Sequence, residues 1–262
     1  MTIPDILALD FDGVCCDGLR EYFETSRRTC LRVWPEDEPP ADSAFVAFSA
    51  LRPVILSGWE MPVLLRAIAR GVPRAEILGD WERVRAEVVA AGSPAGDALI
   101  ARLGHTLDEV RHEWIAADEA GWIGLHAPYG GVDELRRLVA EPPQSVLVTT
   151  KEGAFARRIL DHWGVRLADV QGKETGVHKC LNLRALIAAW TAERGSRPRL
   201  AFVEDRLETL QHVTTHPDLD DVRLFLAAWG YNTEAARAAA RADPRIRLLT
   251  LEQFRQGSAG WP

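Results

Sequence analysis

The chain has 262 residues, 31 of them Lys or Arg against 38 Asp or Glu, for a formal net charge of -7, and 47% of its residues are hydrophobic. That length accommodates one large domain or two modest ones, and the acidic balance excludes a general electrostatic grip on nucleic acid or an anionic membrane. Only Lys151, Lys173 and Lys179 are lysines, so amine-based covalent chemistry is confined to three positions.

The start, Met1-Thr2-Ile3-Pro4-Asp5-Ile6-Leu7-Ala8-Leu9-Asp10, has no basic leader and its apolar run is broken by acids, so no secretory signal is expected. No segment approaches the roughly 20 apolar residues that cross a bilayer. The first predicted strand runs from Ile6 to Phe11 and ends in Asp10-Phe11-Asp12-Gly13. From Cys15 to His126 the pattern turns helical, over Tyr22 to Trp34, Met61 to Ala69, Trp81 to Ala91 and Leu107 to Ala120. The breaks are Pro39-Pro40, Gly71-Val72-Pro73 and Gly92-Ser93-Pro94. Pro128-Tyr129-Gly130-Gly131-Val132 reads as the hinge by which the chain returns.

After the hinge, short apolar runs alternate with amphipathic stretches. Strands are predicted at Ser145 to Val148, more weakly at Leu167 to Val170, and then at Leu200 to Val203, Val222 to Ala227 and Ile246 to Leu249. Helices are predicted at Gly153 to Trp163, where Phe155, Ile159, Leu160 and Trp163 share a face, and at Leu181 to Trp190, where Leu183, Leu186, Ile187 and Trp190 do. Continuous apolar strands linked by helices specify an α/β fold, a doubly wound, Rossmann-like parallel sheet that binds ligands beyond its carboxyl ends. The expected organisation is a catalytic core from residues 1–16 and 128–256, an inserted helical cap over 17–127, and a frayed tail over 257–262. Cys15, Cys16, Cys30 and Cys180 form no CxxC pair, which suits a reducing compartment and a cytoplasmic location.

Asp10 and Asp12 lie two residues apart just past a strand, so strand geometry would point both to one side. One carboxylate can attack phosphorus while the other shuttles a proton to the leaving oxygen; an acidic turn is the plain alternative. Thr149, with Thr150 behind it, ends the next core strand, where a hydroxyl beside free helix N–H groups can hold a phosphate oxygen. Lys179 opens the helix before the strand that ends in Glu204-Asp205. Its charge opposes the local dipole, which makes a role at an anionic site the sharper reading. Glu204 and Asp205 would complete an oxygen-rich site for Mg2+, which needs only one or two carboxylates besides phosphate and water.

The order Asp10-Phe11-Asp12-Gly13-Val14, Thr149, Lys179, Glu204-Asp205 resembles the four motifs of the haloacid dehalogenase-like hydrolase superfamily, and the resemblance spans nearly the whole chain. It implies that Asp10 is a nucleophile carrying an aspartyl-phosphate and that Asp12 is the general acid and then base. It also implies that Thr149 binds phosphate, that Lys179 balances charge, and that Asp205 holds Mg2+ with Asp10 and the backbone carbonyl of Asp12. Two departures stand out. Glu204 precedes the motif-four aspartate and Thr209 follows where a second acid is usual, with Glu204 or Glu208 as substitutes. Cys180 follows the lysine, leaving Lys173 as a rival for its role.

Arg52 and Trp59, in a loop cluster with Gly58 and Glu60, are the candidate substrate contacts within the cap, alongside Thr150 in the core; Arg20 and Tyr22 are weaker ones. The absence of lysine from residues 15 to 127 excludes an imine-forming cap. His212 and His216 have helical spacing, but Pro217 follows and no third ligand is evident, so no zinc site is expected. The implied activity is a Mg2+-dependent phosphatase acting on a small phosphorylated metabolite, as a monomer or homodimer. A phosphoryl-transfer mutase or a non-catalytic binding protein with the same fold are the alternatives.

Overall fold

The computed structural model describes residues 3–92, 95–176 and 178–262. Ser93 and Pro94, part of a predicted break, lie outside the described residues, as do Met1 and Thr2 at the start. The chain forms two compact units, one from Met1–Asp17 with Ala127–Pro262 and the other from Gly18–His126. The first unit opens with β1 (Ile6–Leu9) and the two-residue β2 (Cys16–Asp17).

The Gly18–His126 unit is helical: α1 (Leu19–Val33), α2 (Ala44–Leu51), α3 (Glu60–Ala69), α4 (Arg74–Gly79), α5 (Trp81–Ala90) and α6 (Asp97–Ile123). Helix α1 buries Tyr22, Phe23, Ser26, Thr29, Cys30 and Val33, a stripe at helical spacing that packs on α3 and α6. Helices α2 and α4 were not apparent from periodicity. The first is apolar along nearly its whole length, so it has no polar face to contrast, and the second has only six residues. Helix α6 outruns the predicted segment at both ends and breaks at Asp118, whose carboxylate accepts a hydrogen bond from the Gly121 N–H at 2.8 Å and so starts a new helical turn.

The chain re-enters the first unit through β3 (Ala127–Pro128), antiparallel to β2 with Cys16 opposite Pro128. It continues through α7 (Val132–Ala140), β4 (Gln144–Val148), α8 (Gly153–His162), β5 (Asp169–Gln171), α9 (Lys179–Arg194), β6 (Leu200–Glu204), α10 (Leu207–Thr214), β7 (Arg223–Ala227), α11 (Glu234–Ala242), β8 (Ile246–Leu249) and α12 (Leu251–Gln256). Six of these strands form one parallel sheet in the order β5-β4-β1-β6-β7-β8. The chain builds outward from β1 on one side and then returns to build on the other, so the topological switch lies beside β1.

Strand β1 is buried on both faces. Ile6 and Ala8 point to a core shared with Val146, Phe202, Leu224 and, from α9, Leu183, Leu186 and Trp190. Among the described residues no helix is long and apolar enough to cross a membrane.

The tail departs from expectation. Ser258 donates to Glu141 at 2.8 Å through its N–H, and Trp261 is 3% exposed, stacked on Phe254 and edge-on to Phe225 with centroids at 6.1 and 5.1 Å. Fraying is expected over 257–262 because chain ends commonly lack packing partners, but the buried Trp261 indole supplies them here.

Candidate active site

Register places the chemistry. Leu9 pairs with Leu147 and with Val203, so the residues that follow, Asp10, Val148 and Glu204, leave the sheet at one level, with Thr149 and Asp205 a step beyond. The Asp10 N–H still donates to Val203 O at 2.9 Å, and then the chain turns: Phe11 O accepts the N–H groups of Val14, Cys15 and Cys16. Gly13 makes this turn with φ +87°, and a Cβ there would stand 2.1 Å from Asp205 Oδ2, so glycine is required twice over, by conformation and by space.

Lys179, the first residue of α9, reaches back to the sheet. Its ammonium donates to Asp10 Oδ1 at 2.5 Å and also to Glu204 Oε2. Burial opposes the charge on Lys179, but Asp10 and Glu204 outweigh it and hold the ammonium above its ordinary range. Burial pushes the Asp10 carboxyl up to about 7, with Lys179 opposing and Glu204 and Asp12 adding to the rise. Glu204 Oε1 accepts from the N–H groups of Asp205 and Arg206, each at 3.1 Å, so both of its oxygens have donors.

Asp205 is held by the loop after β7. Its Oδ2 accepts the Tyr231 N–H at 2.7 Å, and Asn232 donates through one amide nitrogen to Asp205 O and Ala227 O, at 2.9 and 2.8 Å. Gly230 admits this approach, since a Cβ there would lie 2.3 Å from that of Asp205. Asp10, Glu204 and Asp205 thus offer buried carboxylate oxygens within 4.8 Å of one another. Asp10 and Glu204 share the buried Lys179 ammonium and Asp205 adds a third carboxylate beside them; such a surplus of negative charge in a desolvated place is the donor chemistry of a small hard cation.

Asp12 sits at the rim, 3.4 Å from the Lys151 ammonium, whose side chain is 5% exposed. Thr149 is buried, and its hydroxyl oxygen accepts the Lys151 N–H at 3.1 Å; Thr150 is exposed beside it. Lys173, the rival to Lys179, instead faces Glu152 at 3.4 Å with its side chain 40% exposed, and Glu208 turns outward to Arg206 at 3.5 Å. Cys15 and Cys16 are buried thiols pushed well up by burial and by nearby carboxylates, which keeps them protonated near Asp10 and Asp12.

Arg52 and Trp59 belong to the helical unit. Arg52 donates to Ile55 O at 3.2 Å and lies over the Tyr22 ring, and Trp59 is half-buried under Arg85. Arg20 stacks on Phe45. Glu60, grouped with Trp59 by sequence, is a buried pin that accepts from Leu56 N, Trp81 Nε1 and Arg85 Nη1.

No family model and no curated protein matches this sequence. Solved structures do. A predicted phosphoglycolate phosphatase of Haemophilus somnus is 13% identical with TM-score 0.60, covering 98% of each chain. A haloacid dehalogenase-like family hydrolase of Streptococcus pneumoniae is 12% identical with TM-score 0.56, covering 96% of each. The chain shares the α/β fold of these phosphatase and haloacid dehalogenase-like structures. Protein tyrosine kinase A of Mycobacterium tuberculosis is also similar, at 17% identity and TM-score 0.57 over 98% of each chain, so this haloacid dehalogenase-like fold is not reserved to proteins named as phosphatases.

Three residues at the site escaped the sequence reading. Lys151 stands two residues after Thr149 and is one of only three lysines, a signal that was available. Tyr231 and Asn232 carried none, because a backbone N–H and a side-chain amide become partners of Asp205 only once β7 lies next to β6.

Proposed function

We propose that the chain is a Mg2+-dependent phosphatase that hydrolyses a small phosphorylated metabolite through an aspartyl-phosphate on Asp10. The carrying observation is the excess of carboxylate over ammonium at Asp10, Glu204, Asp205 and Lys179, at the switch point of the sheet. Asp10 and Asp205, with the Asp12 carbonyl, are the residues to hold Mg2+, which when bound screens the nucleophile from the incoming phosphate and polarises a phosphoryl oxygen. Glu204, with both oxygens engaged, serves to position Lys179.

In the first half-reaction an Asp10 carboxylate oxygen attacks phosphorus, the phosphorus to ester-oxygen bond breaks, and the leaving oxygen takes a proton from Asp12. In the second, Asp12 takes a proton from water, whose oxygen attacks phosphorus and releases inorganic phosphate and free Asp10. Thr149 and its neighbouring N–H groups suit the phosphoryl oxygens, and Lys179 neutralises charge that develops on them. Lys151, 3.4 Å from Asp12, is placed to hold its carboxylate at the rim.

The test is a screen of metabolite phosphates and an aryl phosphate with and without Mg2+. Turnover should depend on Mg2+ and fall at least about 10⁴-fold in Asp10→Asn, as for loss of a nucleophile. Activity surviving that substitution overturns the mechanism. Isomerised rather than dephosphorylated product would mark a mutase, and silence across the panel with no Mg2+ binding would mark a binding protein.

A further inference from the structure

The two histidines that lacked a third ligand in the sequence have one in the fold. Cys180 stands in the first turn of α9, His212 in the last turn of α10, and His216 two residues past it. Their sulfur and ring nitrogens lie within 4.8 Å of one another. The imidazole centroids are 4.9 Å apart with the rings nearly perpendicular, at 82°. Thirty-one residues separate Cys180 from His212, so no local pattern could pair them; packing of α10 against α9 does.

We propose that Cys180, His212 and His216 bind one Zn2+ ion, with the fourth position open to solvent, at a site separate from the acidic cluster. A thiolate with two imidazoles is a borderline-soft donor set. It selects Zn2+ among abundant divalent cations and offers no hard oxygen to Mg2+. Tetrahedral zinc holds such ligand atoms roughly 3.3–3.6 Å apart, given metal to ligand bonds of about 2.0–2.3 Å. A closure of about 1 Å completes the site, and rotation of the two imidazoles supplies it, since His212 is exposed and His216 half-buried.

The surroundings favour this assignment. Cys180 is a free thiol, 3% exposed. The backbone about His216 is pinned, with its own N–H on Val213 O at 3.1 Å and its carbonyl accepting the Leu219 N–H at 2.9 Å. Arg184 and Asp218 both lie near Cys180 but are forked together at 2.6 and 2.9 Å, so their opposite charges largely offset each other beside the site. On binding, the thiol proton is released to solvent as the zinc to sulfur bond forms. Because Cys180 follows Lys179, the ion would tie the turn that carries the site's ammonium to the end of α10.

The experiment is a Co2+ titration of metal-stripped full-length protein in excess Mg2+, which occupies the hard-oxygen cluster. One equivalent should bind with a near-ultraviolet thiolate-to-Co2+ charge-transfer band, displaced by Zn2+, and Zn2+ should raise the melting temperature. Cys180→Ser and the surface double variant His212→Gln/His216→Gln should each weaken binding by at least about 100-fold, the upper end of what loss of a mere supporting contact costs. The double variant keeps the test decisive if Cys180→Ser does not fold. The band should persist in Asp205→Asn. A folded protein without the band, or a band that survives Cys180→Ser or the histidine double variant, overturns the proposal.

Discussion

Two of the buried ionic clusters, one in each unit, are built on opposite plans. In the helical unit Glu21 is fully buried and completely answered. Arg111 forks onto its two oxygens at 2.8 and 3.2 Å, and Thr25 and Trp122 donate to one of them at 2.5 and 3.2 Å. One negative charge meets one positive charge, and nothing is left for a ligand. In the α/β unit Asp10 and Glu204 share the Lys179 ammonium, and a third carboxylate, that of Asp205, lies within 4.8 Å of theirs. The first cluster is closed and holds helices together; the second is open and asks for a cation. The balance of charge, not burial, separates a structural ion pair from a functional one.

The contrast can be broken most directly by removing one carboxylate from each cluster. Glu21→Gln strands Arg111 and should lose about 3–5 kcal/mol in urea unfolding, the usual consequence of halving a buried pair. Asp10→Asn relieves like-charge crowding and should keep or gain stability while losing turnover; an equal loss in both variants would erase the distinction. Mg2+ at a hundredfold excess over its dissociation constant should stabilise the wild type by about 2.7 kcal/mol and Asp205→Asn hardly at all, read as a shift in melting temperature.

Two glycines sharpen the same comparison. Gly71, in the helical unit, has φ +76° and open space around it, so Gly71→Ala should cost about 1 kcal/mol, the left-handed penalty alone. Gly13 meets Asp205 as well, and Gly13→Ala should cost more and blunt the Mg2+ response. The smallest effect belongs to the surface. The Arg184 guanidinium holds the Asp218 carboxyl down at about 2 against an ordinary 3.8. A depressed carboxylate contributes stability that is full above the unfolded value and is lost as pH falls through the folded one. Asp218→Asn should therefore melt slightly below the wild type at pH 5, with the gap closing toward pH 2.

The parallel sheet was legible because its strands are continuous apolar runs; Ile246–Leu249 matches its predicted run residue for residue, and the others shift by one or two at their ends. The positions of Asp10, Thr149, Lys179 and Asp205 were legible because each sits at the end of a strand or the start of a helix, where local pattern is strongest. What stayed hidden depends on packing. Glu204 is a candidate cation ligand by sequence, whereas its hydrogen bonds with Lys179 and with the Asp205 and Arg206 N–H groups become visible only in the fold. Glu21 and Arg111 lie 90 residues apart on two helices and look like ordinary surface charges in sequence. Trp261 lies in the terminal segment expected to fray, and its packing against Phe254 and Phe225 becomes visible only in the fold.

The β2–β3 ribbon has a kinetic consequence. It brackets the whole helical unit, so β1 is separated from its neighbour β4 by well over a hundred residues, whereas β6, β7 and β8 follow one another at short intervals. Closing so long a loop is entropically costly until the inserted helices have collapsed and brought Cys16 to Pro128. The C-terminal half of the sheet should form first and β1 should dock late, between two neighbours already in place. Pulse-labelled hydrogen exchange during refolding should protect the amides of β6 and β7 before those of β1; the reverse order would contradict it.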